Sequence, residues 1–274
     1  MTDPFKIIEP TVISFSGGRT SAYMLWRVLQ SNNGLPSEAI VCFANTGKEE
    51  EATLQFVHDC ETNWNVPINW LEFRDGDPSF EVVSFDTASR NGEPFEALIL
   101  KRQFLPNPVT RFCTTELKIR PIHKYLKNIG WEHQEGSDWV GIRADEIRRA
   151  KKMSRDRTPL VSAGVTKEIV GEFWRSQPFD LGLPNMNGVT MHGNCDLCFL
   201  KGAKQTQSLI AEKPERALWW AKMESKVQTK KRTFGDGARF RKDRPSYEAM
   251  YEYAQSQKSF EFDGDDAISC YCGD

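Results

Sequence analysis

Short apolar runs alternate with amphipathic stretches along the first half of the chain, and this alternation predicts strands and helices in turn. The apolar runs have the length expected of buried strands and lie at 11–15, 39–44, 68–73 and 139–143. The amphipathic stretches predict helices over 20–31, 49–63 and from Thr114 or Thr115 to Lys127. Strands that alternate with helices favour a parallel sheet with right-handed crossovers. We therefore expect an α/β fold with a doubly wound, mostly parallel sheet.

The pattern changes in two places. Several Gly and Pro residues make 74–109 irregular, which predicts an excursion over the active edge of the sheet. Beyond residue 150 we expect a short strand and then a helix within 159–184, a loop over 184–194, and helices within 199–228 and 246–257. The sequence thus divides into an α/β domain, 1–185, and a C-terminal helical region that contains cysteines, 186–274.

A glycine-rich turn follows the first strand and leads into the first helix. Its chemistry-bearing residues are Ser14, Ser16, Gly17, Gly18, Arg19, Thr20 and Ser21. Glycines let backbone N–H groups approach an anion, and the N-terminus of a helix favours negative charge. The hydroxyl groups and the arginine add further donors. The turn therefore predicts a phosphate site, and it is not a Walker-type loop, because no Gly-x4-Gly-Lys-[Ser/Thr] is present.

Composition limits the setting of this site. The 274 residues are enough for one large domain, or for one domain with an appendage. No apolar run approaches a membrane span, and the N-terminus has no secretion signal, so we expect a cytoplasmic protein without membrane contact. The net charge of −2 gives no general attraction to nucleic acid. The basic run 226–244 is either a solvated loop or a local patch for nucleic acid or another polyanion.

Seven cysteines fall into two groups. Cys42 and Cys60 lie in apolar patterns and are expected to be buried packing residues. The other five lie in polar or turn-rich contexts: Cys113, Cys195, Cys198, Cys270 and Cys272. Structural disulfides are not expected without a signal peptide, so this group indicates metal or redox chemistry, or else reduced thiols. Four thiolates suit either a [4Fe–4S] cluster or structural zinc, and His192 lies three residues before Cys195.

Several segments together resemble one family. Ser16-Gly17-Gly18-Arg19-Thr20-Ser21 resembles the pyrophosphatase loop of the PP-loop ATPases, and within these the chain is similar to the phosphoadenosine phosphosulfate (PAPS) reductase family. Four further segments carry the resemblance: Asn45-Thr46-Gly47-Lys48-Glu49, the Cys-x4-Lys-x2-Pro stretch from Cys113 to Pro121, Gly141-Ile142-Arg143-Ala144-Asp145-Glu146, and Cys195-Asp196-Leu197-Cys198. The resemblance covers roughly residues 11–200. Arg19 and Thr20 stand where ATP-cleaving members have Lys and Asp, and the tail reads Cys-Tyr-Cys-Gly where reductases have Glu-Cys-Gly.

The resemblance implies a ligand and a site. An adenine nucleotide, ATP or an adenylyl-sulfate type, would place its phosphates on the Ser16–Ser21 loop. Lys118 and Arg143 would neutralise phosphate or sulfate charge, and Asn45 and Thr46 would contact ribose or base. The residues that the resemblance assigns to the nucleotide also include Gly47 and Gly141. It further implies a [4Fe–4S] cluster, with zinc as the alternative, held by Cys113, Cys195, Cys198 and one of Cys270 and Cys272.

Two reactions and one non-catalytic role fit these expectations. The first reaction reduces a sulfonucleotide, with Cys272 of the tail as the nucleophile. The second adenylates a nucleic acid or small molecule with ATP and then inserts sulfur. An electron-donor or sulfur-donor protein would be a partner, and a homo-oligomer is expected. The alternative is a non-catalytic module that binds nucleotide or nucleic acid and holds a structural zinc.

Overall fold

A five-stranded sheet forms the centre of the protein. The computed structural model describes residues 3–132, 138–186, 189–193, 195–227 and 238–256. The strands run in the order β4-β3-β2-β1-β5. Their bounds are β1 Thr11–Phe15, β2 Ala39–Asn45, β3 Ile68–Phe73, β4 Phe80–Val83 and β5 Trp139–Val140. The pairs β1–β2, β1–β5 and β2–β3 are parallel, and β4 joins the edge at β3 in the antiparallel direction. The expectation of an α/β fold with a mostly parallel sheet is confirmed.

Helices connect the strands of this sheet. They are α1 Arg19–Asn32, α2 Glu51–Asn63, α3 Glu93–Arg102, α4 Phe112–Thr114 and α5 Arg120–Asn128. A π-helical turn, Thr115–Ile119, joins α4 to α5. Pro121 follows this turn and supplies no N–H to the helix ladder. Single π-helical turns within α-helices are frequent at functional sites, and this one carries Lys118.

Side chains of the strands alternate between two apolar layers. On one face Ile13, Val41 and Phe43 pack with α1 and α2. On the other face Val12 and Cys42 pack with Ile122 and Leu126 of α5 and with other buried residues. Helices therefore cover both faces, as in a doubly wound sheet, and the central strands are buried on both sides.

Strand order places a crevice next to β1. The chain passes from β1 to β2 on one side, whereas β5 pairs with the other side of β1. In open α/β sheets a ligand binds beyond the carboxyl ends of the strands where the order reverses in this way. The loops that follow β1 and β5 meet at this point, so a ligand site is expected there.

The rest of the described chain is mostly helical. Its elements are α6 Ile147–Ala150, a short 3-10 turn Arg155–Arg157, α7 Pro159–Ser162, α8 Lys167–Ser176, the small hairpin of β6 Asn185–Met186 and β7 Val189–Thr190, α9 Ala203–Glu212, α10 Arg216–Lys226 and α11 Tyr247–Gln255. A third apolar cluster joins this region to α3 and the π-helical turn. It contains the fully buried Trp220, Phe199 and Phe240. The C-terminal helices thus pack against the α/β part. No helix within the described residues is long and apolar enough to cross a membrane.

Several local expectations were wrong. Residues 74–109 contain β4 and α3, because Phe80–Val83 completes the sheet edge and Gly92 and Pro94 begin a helix. The short strand expected after Pro159 is helix α7, in which Pro159 occupies the first turn, a position that tolerates proline. The loop over 184–194 contains the β6–β7 hairpin. Strand β5 ends at Val140, before the predicted end at 143.

Glu224 on α10 holds the start of the C-terminal helix in place. Its carboxylate accepts hydrogen bonds from the backbone N–H groups of Phe240 and Tyr247 at 3.2 and 2.9 Å. Burial raises the pKa of Glu224 from 4.5 to about 7. The folded state therefore binds a proton more tightly than the unfolded state does, so stability falls as pH rises from about 4.5 to about 7 and then levels off.

We expect the free energy of unfolding to drop by up to about 3 kcal/mol between pH 5 and pH 8 through this one group. Urea denaturation at both pH values, on the wild type and on Glu224→Gln, measures the effect. The variant should lose most of the drop. Glu252→Gln, which changes an exposed carboxylate on the neighbouring helix α11, is the control and should retain it. A wild-type drop that persists in Glu224→Gln would contradict the assignment.

Candidate functional site

The turn after β1 has a backbone that requires glycine. Gly17 has a φ of +76°, in the left-handed region that glycine adopts without steric cost. A Cβ at this position would also lie 2.8 Å from a methyl of Thr53 and 3.1 Å from one of Val57. The turn is therefore pressed against α2, and its conformation depends on the missing side chain.

Hydrogen bonds of two serine hydroxyl groups stabilise this turn. Ser21 Oγ donates to the carbonyl of Gly18 at 3.0 Å and accepts from the Ser16 N–H at 3.2 Å. The hydroxyls of Ser16 and Ser21 share a hydrogen bond of 2.9 Å. Among the described residues no side chain caps α1 at Gly18. The first turn of this 14-residue helix also has no acidic residue, which suits the binding of a phosphate at its N-terminus.

The loop after β5 touches the same turn. A Cβ on Gly141 would lie 2.8 Å from the Cα and 3.0 Å from the N of Ser21. The two backbones approach this closely only because residue 141 is glycine. Gly141 therefore brings the end of β5, and Arg143 beyond it, against the N-terminus of α1.

A cavity of about 720 Å³ opens beside this junction. Its wall includes Arg19 and Thr20 from the start of α1 and Arg143 from the loop after β5. Helix α8 contributes Lys167 and Arg175, together with carboxylates of its own. The volume falls within the usual range of small-ligand sites, and the wall carries both cations and carboxylates.

Arg19 is held by partners that the sequence did not identify. Its guanidinium makes a bidentate ion pair with Asp180, with N–O distances of 2.7 and 2.6 Å. It also donates to the hydroxyl of Thr190 and to the carbonyl of Leu183. Arg19 therefore lines the cavity as a fixed and largely neutralised cation.

Arg143 links the two loops. Its Nη1 donates to the Thr20 hydroxyl at 3.1 Å, and its Nε donates to Asp145 at 3.1 Å. The backbone N–H of Arg143 donates to Glu146 at 2.9 Å. The Thr20 hydroxyl thus receives a cationic donor, and Arg143 reaches the cavity from the far side of the turn. The predicted association of Arg143 with the Ser16–Ser21 loop is present in this geometry.

The loop after β2 is built on a buried carboxylate. Glu72 has no exposed surface and accepts from the Asn45 side-chain amide at 2.6 Å and from both the N–H and the hydroxyl of Ser89 at 2.6 Å. Arg74 pairs with the same carboxylate at 2.8 Å. Asn45 Oδ1 accepts from the N–H of Gly47, whose φ is +76°. Asn45 and Gly47 therefore shape the loop in this structure.

Thr46 and Lys118 lie at a second group of polar residues, centred on Glu49. This carboxylate accepts from the N–H of Thr46 at 2.9 Å and lies 3.9 Å from Lys118 Nζ. The Thr46 hydroxyl is 3.5 Å from Cys195 Sγ. Lys118 thus lies near a thiol and does not line the cavity at Arg143. Of the two cations that the resemblance assigns to phosphate or sulfate charge, Arg143 lines this cavity and Lys118 does not.

Cys195 and Cys198 form the described part of the thiol site. The N–H of Cys198 donates to the carbonyl of Cys195 at 3.2 Å, which closes a tight turn. Burial, the nearby Glu49 carboxylate and Cys198 together raise the pKa of the Cys195 thiol well above its ordinary value, and Lys118 opposes them. Cys113 packs on the same apolar cluster. Among the described residues, no group of three or more His, Cys, Asp and Glu side chains is arranged to hold a metal ion. Cys270 and Cys272 lie outside the described residues.

Buried polar residues anchor the Cys195–Cys198 turn to its surroundings. Lys48 Nζ pairs with Asp196 at 2.9 Å, and Glu49 forms an isolated antiparallel bridge with Cys195. The Tyr247 hydroxyl donates to the Leu197 carbonyl at 2.7 Å. The thiol turn is therefore coupled to the loop after β2, which itself lies beside the loop after β1.

Two arginines of the basic run 226–244 are structural. Arg241 donates to the carbonyl of Phe199 at 3.3 Å, and Arg244 donates to the carbonyl of Lys201 at 2.7 Å. Both are almost fully buried, so neither belongs to a surface patch. Residues 228–237 of the run lie outside the described part of the chain.

The remaining candidates have packing roles where they are described. Cys42 and Cys60 are fully buried, as predicted, and burial raises the pKa of both thiols. The Nε2 of His192 lies 2.7 Å from Glu212, while its buried Nδ1 has no hydrogen-bond partner within the described residues. Ser14 lies in β1 opposite Cys42 and Val140, one residue before Phe15 ends the strand.

Sequence reasoning missed residues that act through distant contacts. Asp180 and Thr190 reach Arg19 from more than 160 positions away, and Trp174 Nε1 donates to the Arg19 carbonyl at 2.9 Å. A buried arginine needs a carboxylate, so the need for a partner was foreseeable, but its position was not. Glu49 was within a quoted segment, and its position three residues after Thr46 is the signal for the hydrogen bond it accepts.

Comparisons with known proteins find two relatives. The chain is 31% identical over 202 residues to the uncharacterized nin region protein ORF290 of Escherichia phage lambda, a match that covers 71% of this chain and 67% of that protein. It is 28% identical over 159 residues to an uncharacterized protein of Methanocaldococcus jannaschii, covering 57% of this chain and 28% of that protein. No family model matches the chain.

Proposed function

The chain belongs to the family of the phage lambda nin region protein ORF290, and we propose that this member is an enzyme that binds an adenine nucleotide and carries out sulfur chemistry. The nucleotide would place its phosphates on the Ser16–Ser21 loop, at the N-terminus of α1. The sulfur chemistry would take place near Cys195. Both roles are those that the resemblance to the PAPS reductase family of PP-loop ATPases implies.

One observation carries the proposal. The uncapped N-terminus of α1, the left-handed Gly17 and the close approach of Gly141 to Ser21 meet where the strand order reverses. A cavity whose wall includes Arg19, Thr20 and Arg143 opens beside this point. Backbone N–H groups at a helix N-terminus bind phosphate without needing a cation of their own. This supports a phosphorylated ligand even though Arg19 is neutralised by Asp180.

We favour ATP-dependent adenylation followed by sulfur insertion. An oxygen of the acceptor would attack the α-phosphorus of ATP and pyrophosphate would leave, after which a sulfur nucleophile would displace AMP. Arg143 would stabilise negative charge that develops on the phosphates, because it is held at the turn by Thr20 and Asp145. Lys118, which lies near Cys195, would lower the pKa of an attacking thiol or attract a sulfur donor.

The cysteines fit a metal centre in part. Cys195 and Cys198 are adjacent in a tight turn, and Cys113 packs on the same apolar cluster. The high pKa of Cys195 means that a thiolate there needs a cation beside it. The described residues supply no complete ligand set, so the proposed centre requires Cys270 or Cys272. These thiolates would hold a [4Fe–4S] cluster, or zinc as the alternative. A cluster would supply an electron carrier, whereas zinc would supply a rigid structural support.

The bound metal should be lost when Cys195 and Cys198 are replaced. We expect anaerobically purified protein to be brown, with about four iron atoms per chain, and the double variant Cys195→Ala/Cys198→Ala to be colourless. Metal analysis and visible absorption give the measurement. Cys60→Ala, which removes a buried thiol on α2, is the control and should retain the metal. One zinc per chain would exclude iron–sulfur chemistry, and iron retained by the double variant would remove these cysteines from the site.

Product analysis tests the proposed reaction. Incubation with ATP labelled at the α-phosphate, a single-stranded RNA or DNA as the acceptor and sulfide as the sulfur donor should yield AMP and pyrophosphate, and Arg143→Ala should abolish this cleavage. Sulfite formed from adenylyl sulfate, without any ATP cleavage, would instead assign the protein to sulfonucleotide reduction. Cys272 would then be the nucleophile. Binding of nucleotide without turnover of either compound would favour the non-catalytic module.

A further inference from the structure

A second cavity, of about 640 Å³, lies away from the α1 junction. Its wall carries four cations, Lys101, Arg102, Arg120 and Lys124, and one carboxylate, Glu116. These residues come from the end of α3, the π-helical turn and α5. The wall is therefore strongly positive in a protein whose net charge is −2. A local basic patch is the electrostatic footprint expected for a polyanion.

Carboxylates balance only part of this charge. Glu116 pairs with both Arg102 and Arg120. Lys101 pairs with Asp75 at 2.7 Å, and both of these side chains are about half exposed. Lys124 donates to the hydroxyl of Ser79 at 2.5 Å. Exposed ion pairs are weak, so phosphate groups can compete for the lysines at little cost.

Aromatic rings lie among the cations. Phe104 is 48% exposed, and its ring centroid lies 6.2 Å from that of Phe112. The Arg102 guanidinium lies 5.0 Å from the centroid of Phe112. An exposed phenylalanine among cations provides a face on which an unpaired base can stack. An anion without a base, such as inorganic sulfate or a phosphorylated side chain, would not stack on these rings.

The cavity and the thiol site share one short segment. Phe112 and Glu116 line the cavity. Cys113 is the residue next to Phe112, and Lys118, near Cys195, follows Glu116 by two positions. A ligand in this cavity would therefore lie against the segment that also carries groups of the proposed reaction. This continuity distinguishes the cavity from an unrelated basic surface.

We infer that this cavity binds single-stranded nucleic acid, with backbone phosphates at Lys101, Arg120 and Lys124 and a base stacked on Phe104. The inference deepens the proposed function and rests on it, because it names the class of acceptor that would receive the sulfur. It also moves the nucleic-acid site from the basic run 226–244 to the cleft between α3 and α5.

Fluorescence anisotropy with labelled 12-nucleotide RNA and DNA single strands tests the inference on the full chain. Phe104→Ala should weaken binding by about 5- to 100-fold, and Phe104→Trp should restore it. Lys101→Ala and Lys124→Ala should each reduce the slope of log affinity against log salt by about 0.7. Lys222→Ala, which removes an exposed cation paired with Glu96 outside the cavity, is the control and should change neither quantity.

Four results would overturn the inference. They are no binding of either strand, equal affinity for a duplex of the same sequence, equal affinity for a free mononucleotide, and loss of binding in Lys230→Ala/Lys231→Ala/Arg232→Ala but not in the cavity variants. The RNA and DNA arms tell which strand is preferred. Because anisotropy needs no turnover, failure of ATP cleavage would remove the proposed reaction and leave this binding result intact.

Discussion

Gly141→Ala should weaken ATP binding by about 10- to 100-fold, the loss expected when one hydrogen bond from the α1 N-terminus to a charged phosphate is broken. The new methyl would lie 2.8 Å from the Cα of Ser21, which is backbone and cannot rotate away. The N-terminus of α1 must therefore move away from the loop that follows β5. Isothermal titration with ATP measures the affinity, and urea denaturation shows whether the variant remains folded.

Gly76→Ala is the matched control for this variant. A Cβ on Gly76 meets nothing within 4 Å, and its φ lies outside the left-handed region. The control should bind ATP as the wild type does. Unchanged affinity in Gly141→Ala would show that the junction between the two loops does not form the nucleotide site.

Glu72→Gln should lower the free energy of unfolding by about 3 kcal/mol, the effect expected when a buried carboxylate loses its charge. Glu72 is fully buried and accepts from Asn45, from two donors of Ser89 and from Arg74. An amide in its place presents two hydrogens to a pocket lined by donors. Urea denaturation at neutral pH gives the value.

Glu81→Gln provides a control on the same ion-pair network. Glu81 lies opposite Glu72 on β4 and pairs with Arg74 at 2.6 Å, but its side chain is more than half exposed. Its replacement should cost less than about 1 kcal/mol, as for other surface ion pairs. Equal losses in the two variants would mean that Glu72 is not the centre of the buried network.

The sequence predicted those elements whose pattern is local. The bounds of β1 and β3 were predicted to the residue, and those of β2 were predicted to within one residue, because each of these strands is a short, mostly apolar run that is buried along nearly its whole length. A helix within 246–257 was also predicted; the structure has it at Tyr247–Gln255, and the hydroxyl of Ser246 accepts from the N–H of Ala249 at its start. By contrast, β4 is an edge strand with two exposed residues, so its apolar content was too low to distinguish it from a loop.

The candidate site was predictable in its loops but not in its pairings. The glycines at 17 and 18 predicted the turn after β1, whereas the close approach of Gly141 to Ser21 became visible only in the structure. The partners of Arg19, and the position of Lys118 outside the cavity that Arg143 lines, depend on how remote segments pack. Nothing in the sequence near Arg19 indicates Asp180, and nothing near Lys118 distinguishes a phosphate ligand from the Glu49 carboxylate that lies 3.9 Å away.

The most direct test is diffraction from crystals soaked with an ATP analogue that resists cleavage between the α- and β-phosphates. We expect phosphate density at the N-terminus of α1, within hydrogen-bond distance of the backbone N–H groups of Gly17 or Gly18, with Arg143 at the edge of the ligand. Density for the nucleotide only in the cavity lined by Lys101 and Lys124, with the α1 junction empty, would contradict the proposal that the Ser16–Ser21 loop binds the nucleotide.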